Sequence, residues 1–179
     1  EEAGVYAFSR IDARQQVEYV VALNNAENDQ SVAVPTYSPG MTFDRLYPEA
    51  GDPVVSAADA RVQIDVPALS AVVLRARARL AVPASGPAVA IVAPPADSDV
   101  RGRFEVSAEV PGGGFNQVTF AAKVGDADWR VLGTDDNAPY RVFPDLTGVA
   151  AGTPVAFKAV VKDSAGRIAS ARSDARVGE

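Results

Sequence analysis

The stretch VTFAAKVGDADWRVLGTD, residues 118–135, decides the reading of the fold. Val118, Phe120, Ala122 and Val124 alternate with Thr119, Ala121 and Lys123, so an extended segment here has one apolar face and one solvated face. A Gly-Asp-Ala-Asp turn follows, and a second extended segment starts at Trp129. The pattern returns at 155–162, VAFKAVVK, with Val155, Phe157, Ala159 and Val161 on one side and Lys158 and Lys162 on the other. KDSAGR then closes a hairpin, with Gly166 free to take a positive φ. Such two-faced segments belong to antiparallel sheets that bury one side and wet the other.

Working outward, the same texture fills the second half of the chain. AVAIVAP, GRFEVSAEV, NQVTFAAKV, WRVLGTD, PYRVFPD, TPVAFKAVVKD and RIASARSDARV read as seven short strands separated by turn signals. This spacing is the pattern of an Ig-like sandwich. In the first half VYAFSR, QVEYVVAL, SVAVPTY, RVQIDVPA and SAVVLRA are rich in Val, Tyr and Phe, and polar clusters such as NNAEND and EAGD punctuate them. Between the halves lies RARARLAVPASGPAVA, small-residue and Pro/Gly-punctuated, which reads as a linker. The expected organisation is all-β: two antiparallel β-sandwich domains in tandem, at 1–78 and 88–179, joined by 79–87.

Composition excludes several kinds of chemistry. The 179 residues contain neither Cys nor His. That removes disulfides, thiol nucleophiles, Cys/His zinc sites and every His-based triad. A formal net charge of −6, with its Lys and Arg scattered singly, argues against a nucleic-acid partner. No apolar run reaches the roughly 20 residues of a membrane span. EEAGVYAFSR does not read as a signal peptide but as the interior of a longer protein.

The order VYAFSR, VEYVVALNN, SVAVP, FDRLYP, VQIDVPALSAVVLRA across residues 4–78 resembles the C-terminal β-domain, domain C, of the alpha-amylase superfamily of glycoside hydrolases. The second half is similar to the bacterial Ig-like or fibronectin-type modules appended to secreted polysaccharide hydrolases. The resemblance implies a Greek-key domain C whose chemistry resides in a (β/α)8 barrel of the same polypeptide, and that barrel is absent from these residues. The acidic residues here fall in turns or at solvent-facing strand positions, so no catalytic carboxyl pair of the kind glycoside hydrolysis needs is legible. The implied function is that of a non-catalytic C-terminal region of an extracellular bacterial enzyme acting on alpha-glucans. Its first domain would pack on the barrel, leaving an apolar patch exposed once the barrel is removed. The alternatives are a carbohydrate-binding pair of modules or a cell-surface interaction protein.

Individual candidates follow. Trp129 and Tyr140 are the aromatic pair that would contact a glycan, against the readings that Trp129 packs with Val131 in or over the core or docks on a neighbouring domain. Asp126, Asp128, Asp135 and Asp136 carry oxygens suited to calcium, but their spacing is not that of an EF-hand loop, and TDDNAP is an ordinary turn sequence; no cofactor is expected. Asn24 suits the end of a strand, where its amide would bond local backbone, with a ligand role as the alternative. PGGG at 111–114 lacks the residues of a phosphate loop, and RARAR at 75–79 places its arginines on one side of a strand to face acidic neighbours or the second domain.

Overall fold

The computed structural model describes residues 4–179; residues 1–3, at the start of the EEAGVYAFSR segment, lie outside the described residues. Every regular element among those described is a β-strand. The described residues form two compact units, 4–82 with 113–115 and 83–112 with 116–179.

The first unit contains β1 (Val5–Asp12), β2 (Val17–Asn24), β3 (Gln30–Pro35), β4 (Thr42–Tyr47), β5 (Val54–Val55), β6 (Arg61–Val66) and β7 (Ala71–Ala76). One sheet runs β1-β2-β7-β4-β5, and β3 pairs with β6 in a second. SAVVLRA becomes β7 at the centre of the larger sheet, as its near-continuous apolar character requires. Val20, Ala22, Phe43, Val72 and Leu74 from the larger sheet meet Val34, Val62, Ile64 and Val66 from the smaller, all buried.

Two buried polar side chains on β2 tie these sheets together. Glu18 is 0% exposed, and its carboxylate accepts the Tyr37 N–H, just beyond β3, at 3.1 Å from each oxygen. This corrects the expectation that acidic residues occupy only turns and solvated strand positions. At the other end of β2, the Asn24 amide donates to the carbonyls of Asn28, Val66 and Pro67 at 2.9–3.1 Å and accepts the Ala26 N–H at 2.9 Å. Its capacity is consumed by backbone that would otherwise be buried unpaired, so Asn24 is a turn residue and not a ligand group.

The second unit contains β8 (Ala90–Ala93), β9 (Asp99–Val100), β10 (Val106–Glu109), β11 (Asn116–Val124), β12 (Arg130–Asp135), β13 (Tyr140–Val142), β14 (Pro154–Asp163) and β15 (Ile168–Val177). A three-stranded sheet, β13-β10-β8, faces a five-stranded one, β12-β11-β14-β15-β9. All pairings are antiparallel except β9 with β15. Val118, Phe120 and Ala122 of β11 and Val155, Phe157, Ala159 and Val161 of β14 are buried, as alternation requires. Phe157 is fully buried with Phe104 edge-on to its ring, centroids 5.8 Å apart.

Asp163 anchors the β14–β15 hairpin. Its carboxylate accepts the Ala165 and Arg167 N–H groups and the Arg167 Nε at 2.6 Å. Burial pushes this carboxyl up, but the hydrogen bonds and charge of Arg167 outweigh it and hold the group below its ordinary value. The same guanidinium donates to the Pro83 and Ala84 carbonyls at 2.7 and 3.1 Å, fixing the start of the second unit to its last hairpin. In the first unit the Leu80 N–H donates to the Gln16 carbonyl at 2.8 Å. The Pro/Gly-punctuated connection is therefore bonded locally at both of its ends.

Three outcomes follow for stability. Phe157→Ala should cost the second unit about 3–5 kcal/mol, read as a lower urea midpoint with Trp129, the sole tryptophan, reporting that unit's unfolding. Asp163→Asn should lower the melting temperature at pH 7. Because Asp163 is held below its unfolded value, its contribution is present above that value and lost as pH falls, so the gap between variant and parent should close in acid. Glu18 has the opposite sign. Burial pushes its carboxyl up against the partial compensation of Tyr37 and Ser9. Its contribution is complete below the unfolded value and lost as pH rises through the elevated folded value, so Glu18→Gln should flatten the decline of first-unit stability between them.

Candidate functional site

The outer face of the five-stranded sheet in the second unit carries the feature that alternation alone does not place. Trp129 is 40% exposed and Val131 more so. The expectation that the two pack in or over the core is overturned, and the cause is a β-bulge. Along β11 and β12, Phe120 pairs with Gly133 but Ala121 pairs with Val131, leaving Leu132 as an extra residue. The extra residue shifts the alternation, so Val131 takes the outward face of Ala121 while Gly133, two residues on, takes the inward side of Phe120. Gly133 sits where the strand kinks, and a Cβ there would come within 3.2 Å of a Val142 methyl.

The indole is held by its neighbours. The turn before it is tied to β14 by the Gly125 N–H, which donates to the Pro154 carbonyl at 2.8 Å. Lys158 Nζ lies over the indole 5.0 Å from its centroid, and the Arg172 guanidinium carbon is 6.0 Å away. Contacts of this kind contribute about 0.5–1 kcal/mol at exposed sites. Arg172 in turn donates to Asp174 through Nε at 3.0 Å and Nη2 at 2.7 Å. Beside the ring is a groove of about 520 Å³ lined in part by the small residues Gly125, Pro154 and Ala156. Its polar lining is Asp97, Lys123, Arg172, Asp174 and Arg176. Asp97 is in the left-handed region at φ 60°, and its N–H donates to the Asp174 carbonyl at 2.8 Å, which fixes the loop walling the groove.

Tyr140 does not join this site. It is 5% exposed within the core, burial pushes its phenol up, and a hydrogen bond with Asn116 offsets that in part. The four aspartates are not gathered either. Asp126 and Asp128 are exposed in the turn before Trp129, and Asp135 caps the next turn by accepting the N–H groups of Asn137 and Arg141 at 3.1 and 3.0 Å. Among the described residues no group of three or more acidic side chains is placed to hold a metal ion.

A second surface lies in the first unit. Cross-strand registers place Tyr6, Leu23 and Ala71 in one row and Phe8, Val21, Val73 and Tyr47 in the next, on the side of the larger sheet away from its core. Tyr6 is 68% exposed, Tyr47 55% and Leu23 44%, and the Tyr6 and Phe8 rings lie 5.6 Å apart. A third row, Arg10, Tyr19, Arg75 and Asp44, makes a charged margin, with Arg77 paired to Asp44 at 2.8 Å. RARAR therefore does supply an arginine to an acidic neighbour.

A protein named Alpha-amylase from Streptomyces lividans is 52% identical over 171 residues, covering 95% of this chain. The chain is a relative of an alpha-amylase. Because the match takes in nearly the whole chain, both units occur together in that relative. The chain spans only 18% of the relative's length. No family model matches. Among solved structures, a tetra-tandem repeat from the extending region of a large adhesion protein aligns with 98% of this chain and 49% of its own, at 12% identity and a TM-score of 0.36. A beta-1,2-glucanase from Parabacteroides distasonis aligns with 98% and 36%, at 11% identity and a TM-score of 0.33. Likeness of that degree bears on neither fold nor activity.

Proposed function

We propose that the chain is a non-catalytic C-terminal region of a secreted bacterial alpha-amylase-type glycoside hydrolase acting on alpha-glucans. The observation that carries this reading is the 52% identity to a stretch amounting to 18% of an alpha-amylase. The first unit serves as a domain C that packs against the catalytic (β/α)8 barrel of the same polypeptide. The apolar rows around Tyr6, Phe8, Val21, Leu23 and Tyr47 support that role, since a soluble sheet seldom presents two adjacent apolar rows to water unless something covers them. The bulk of the relative lies outside the matched stretch, which supplies an occupant of the right origin. The second unit is an Ig-like spacer. Its three-stranded sheet facing a five-stranded sheet, with β9 pairing parallel to β15, is the arrangement that supports this assignment.

The test uses the full polypeptide. Tyr6→Ser combined with Leu23→Ser should leave the fold of the isolated 179-residue chain intact by circular dichroism, because both side chains are largely in water there. In the full enzyme the pair should shorten the half-life of activity on starch at elevated temperature several-fold. A doubly substituted enzyme that inactivates at the parent's rate would refute docking through this face.

A further inference from the structure

We infer that the groove beside Trp129 is a contact site for a neutral glucan chain, formed by the outer face of β11, β14 and β15 and separate from the apolar face of the first unit. The ligand class rests on the reading of the parent enzyme as alpha-glucan-acting; the site itself rests on geometry. Three observations carry it.

The first is the platform. An indole on the solvent side of a sheet exposes apolar surface that the sandwich core does not need. Here it is also fixed in place, with Lys158 over the ring from one row of the sheet and Arg172 alongside. A ring already ordered loses little freedom when a ligand stacks on it. Lys158 does not line the groove, whereas Ala156, two residues earlier on the same face of β14, does. Trp129 itself lines the groove, so its indole is part of the surface a ligand would meet there.

The second is the polar lining. A pyranose offers an apolar ring face and an equatorial belt of hydroxyls that both donate and accept. Asp174 and Asp97 accept, while Arg172, Lys123 and Arg176 donate, all beside the aromatic plate. The third is charge balance. Arg172 is paired with Asp174 at 2.7 Å, and the lining sets two carboxylates, Asp97 and Asp174, against three cations, so the groove carries little net charge. The volume, about 520 Å³, falls within the usual range of about 300–1,000 Å³ for small-ligand clefts.

Trp129 is the sole tryptophan, so its emission reports this site alone. Titrating the 179-residue chain with maltoheptaose should change Trp129 emission saturably, and native gels cast with soluble starch should retard the chain. Asp174→Asn should raise the Kd read from the fluorescence titration about tenfold, or about 1.4 kcal/mol. Trp129→Ala should abolish retardation while keeping the circular dichroism spectrum of the parent. An unchanged emission with maltoheptaose, or retardation that persists in Trp129→Ala, would overturn the site. Because the docking variants are scored by thermal inactivation of the full enzyme, failure here leaves that reading standing, and failure there leaves this measurement interpretable.

Discussion

Each unit must hold two sheets face to face with no covalent bond between them. Apolar packing supplies the drive but is poorly directional: a sheet sliding over another loses little burial. What fixes the register is a small set of buried polar side chains that reach from one sheet to the backbone of the other. Glu18 and Asn24 do this from the two ends of β2. In the second unit Tyr140 on the three-stranded sheet meets Asn116 on the five-stranded one, and the Ser173 hydroxyl donates to the Pro94 carbonyl beyond β8. Each bond is short-ranged and fails if the sheets shift by one residue, which makes a low-dielectric interior a strict arbiter of alignment.

With the interiors given over to packing, any capacity to recognise other molecules lies on the outer faces, and the two units differ sharply there. The larger sheet of the first unit turns rows of Tyr, Phe, Leu and Val outward, bordered by charge. The five-stranded sheet of the second turns out Lys, Arg and Asp around a single indole. One surface suits a large, dry, permanent contact and the other a small, wet, reversible one.

The long strands were legible because period-two alternation is written directly into residues such as 118–124 and 155–161. Three strands were not: β5 and β9 have two residues each, too few for any period, and β4 loses a clean alternation where its register on β7 shifts between Arg45 and Tyr47. The position of Asn24 at a strand end was also readable, since its side chain satisfies local backbone. The outward face of Trp129 was hidden for a different reason. The bulge opposite Phe120 and Ala121 reverses the parity of β12, and parity is a property of a strand pair. The groove residues were unreadable as a group because Lys123, Arg172 and Asp97 converge only through the β11–β14–β15 registers and a loop crossing to β15. Glu18 was misjudged because its compensating partner, the Tyr37 amide, is backbone and leaves no trace in residue identity.

The parallel pairing of β9 with β15 has a consequence for how the chain is made. Asp99 finds its partner only in Arg176, after every intervening strand of the second unit. The first unit, by contrast, has its last strand, β7, complete at Ala76. On a ribosome the first unit can gather its sheets while the second is still emerging, and β9 must wait for the final hairpin before its edge is closed. Strand pairing in the first unit is complete by Ala76, whereas in the second it closes only with the final hairpin.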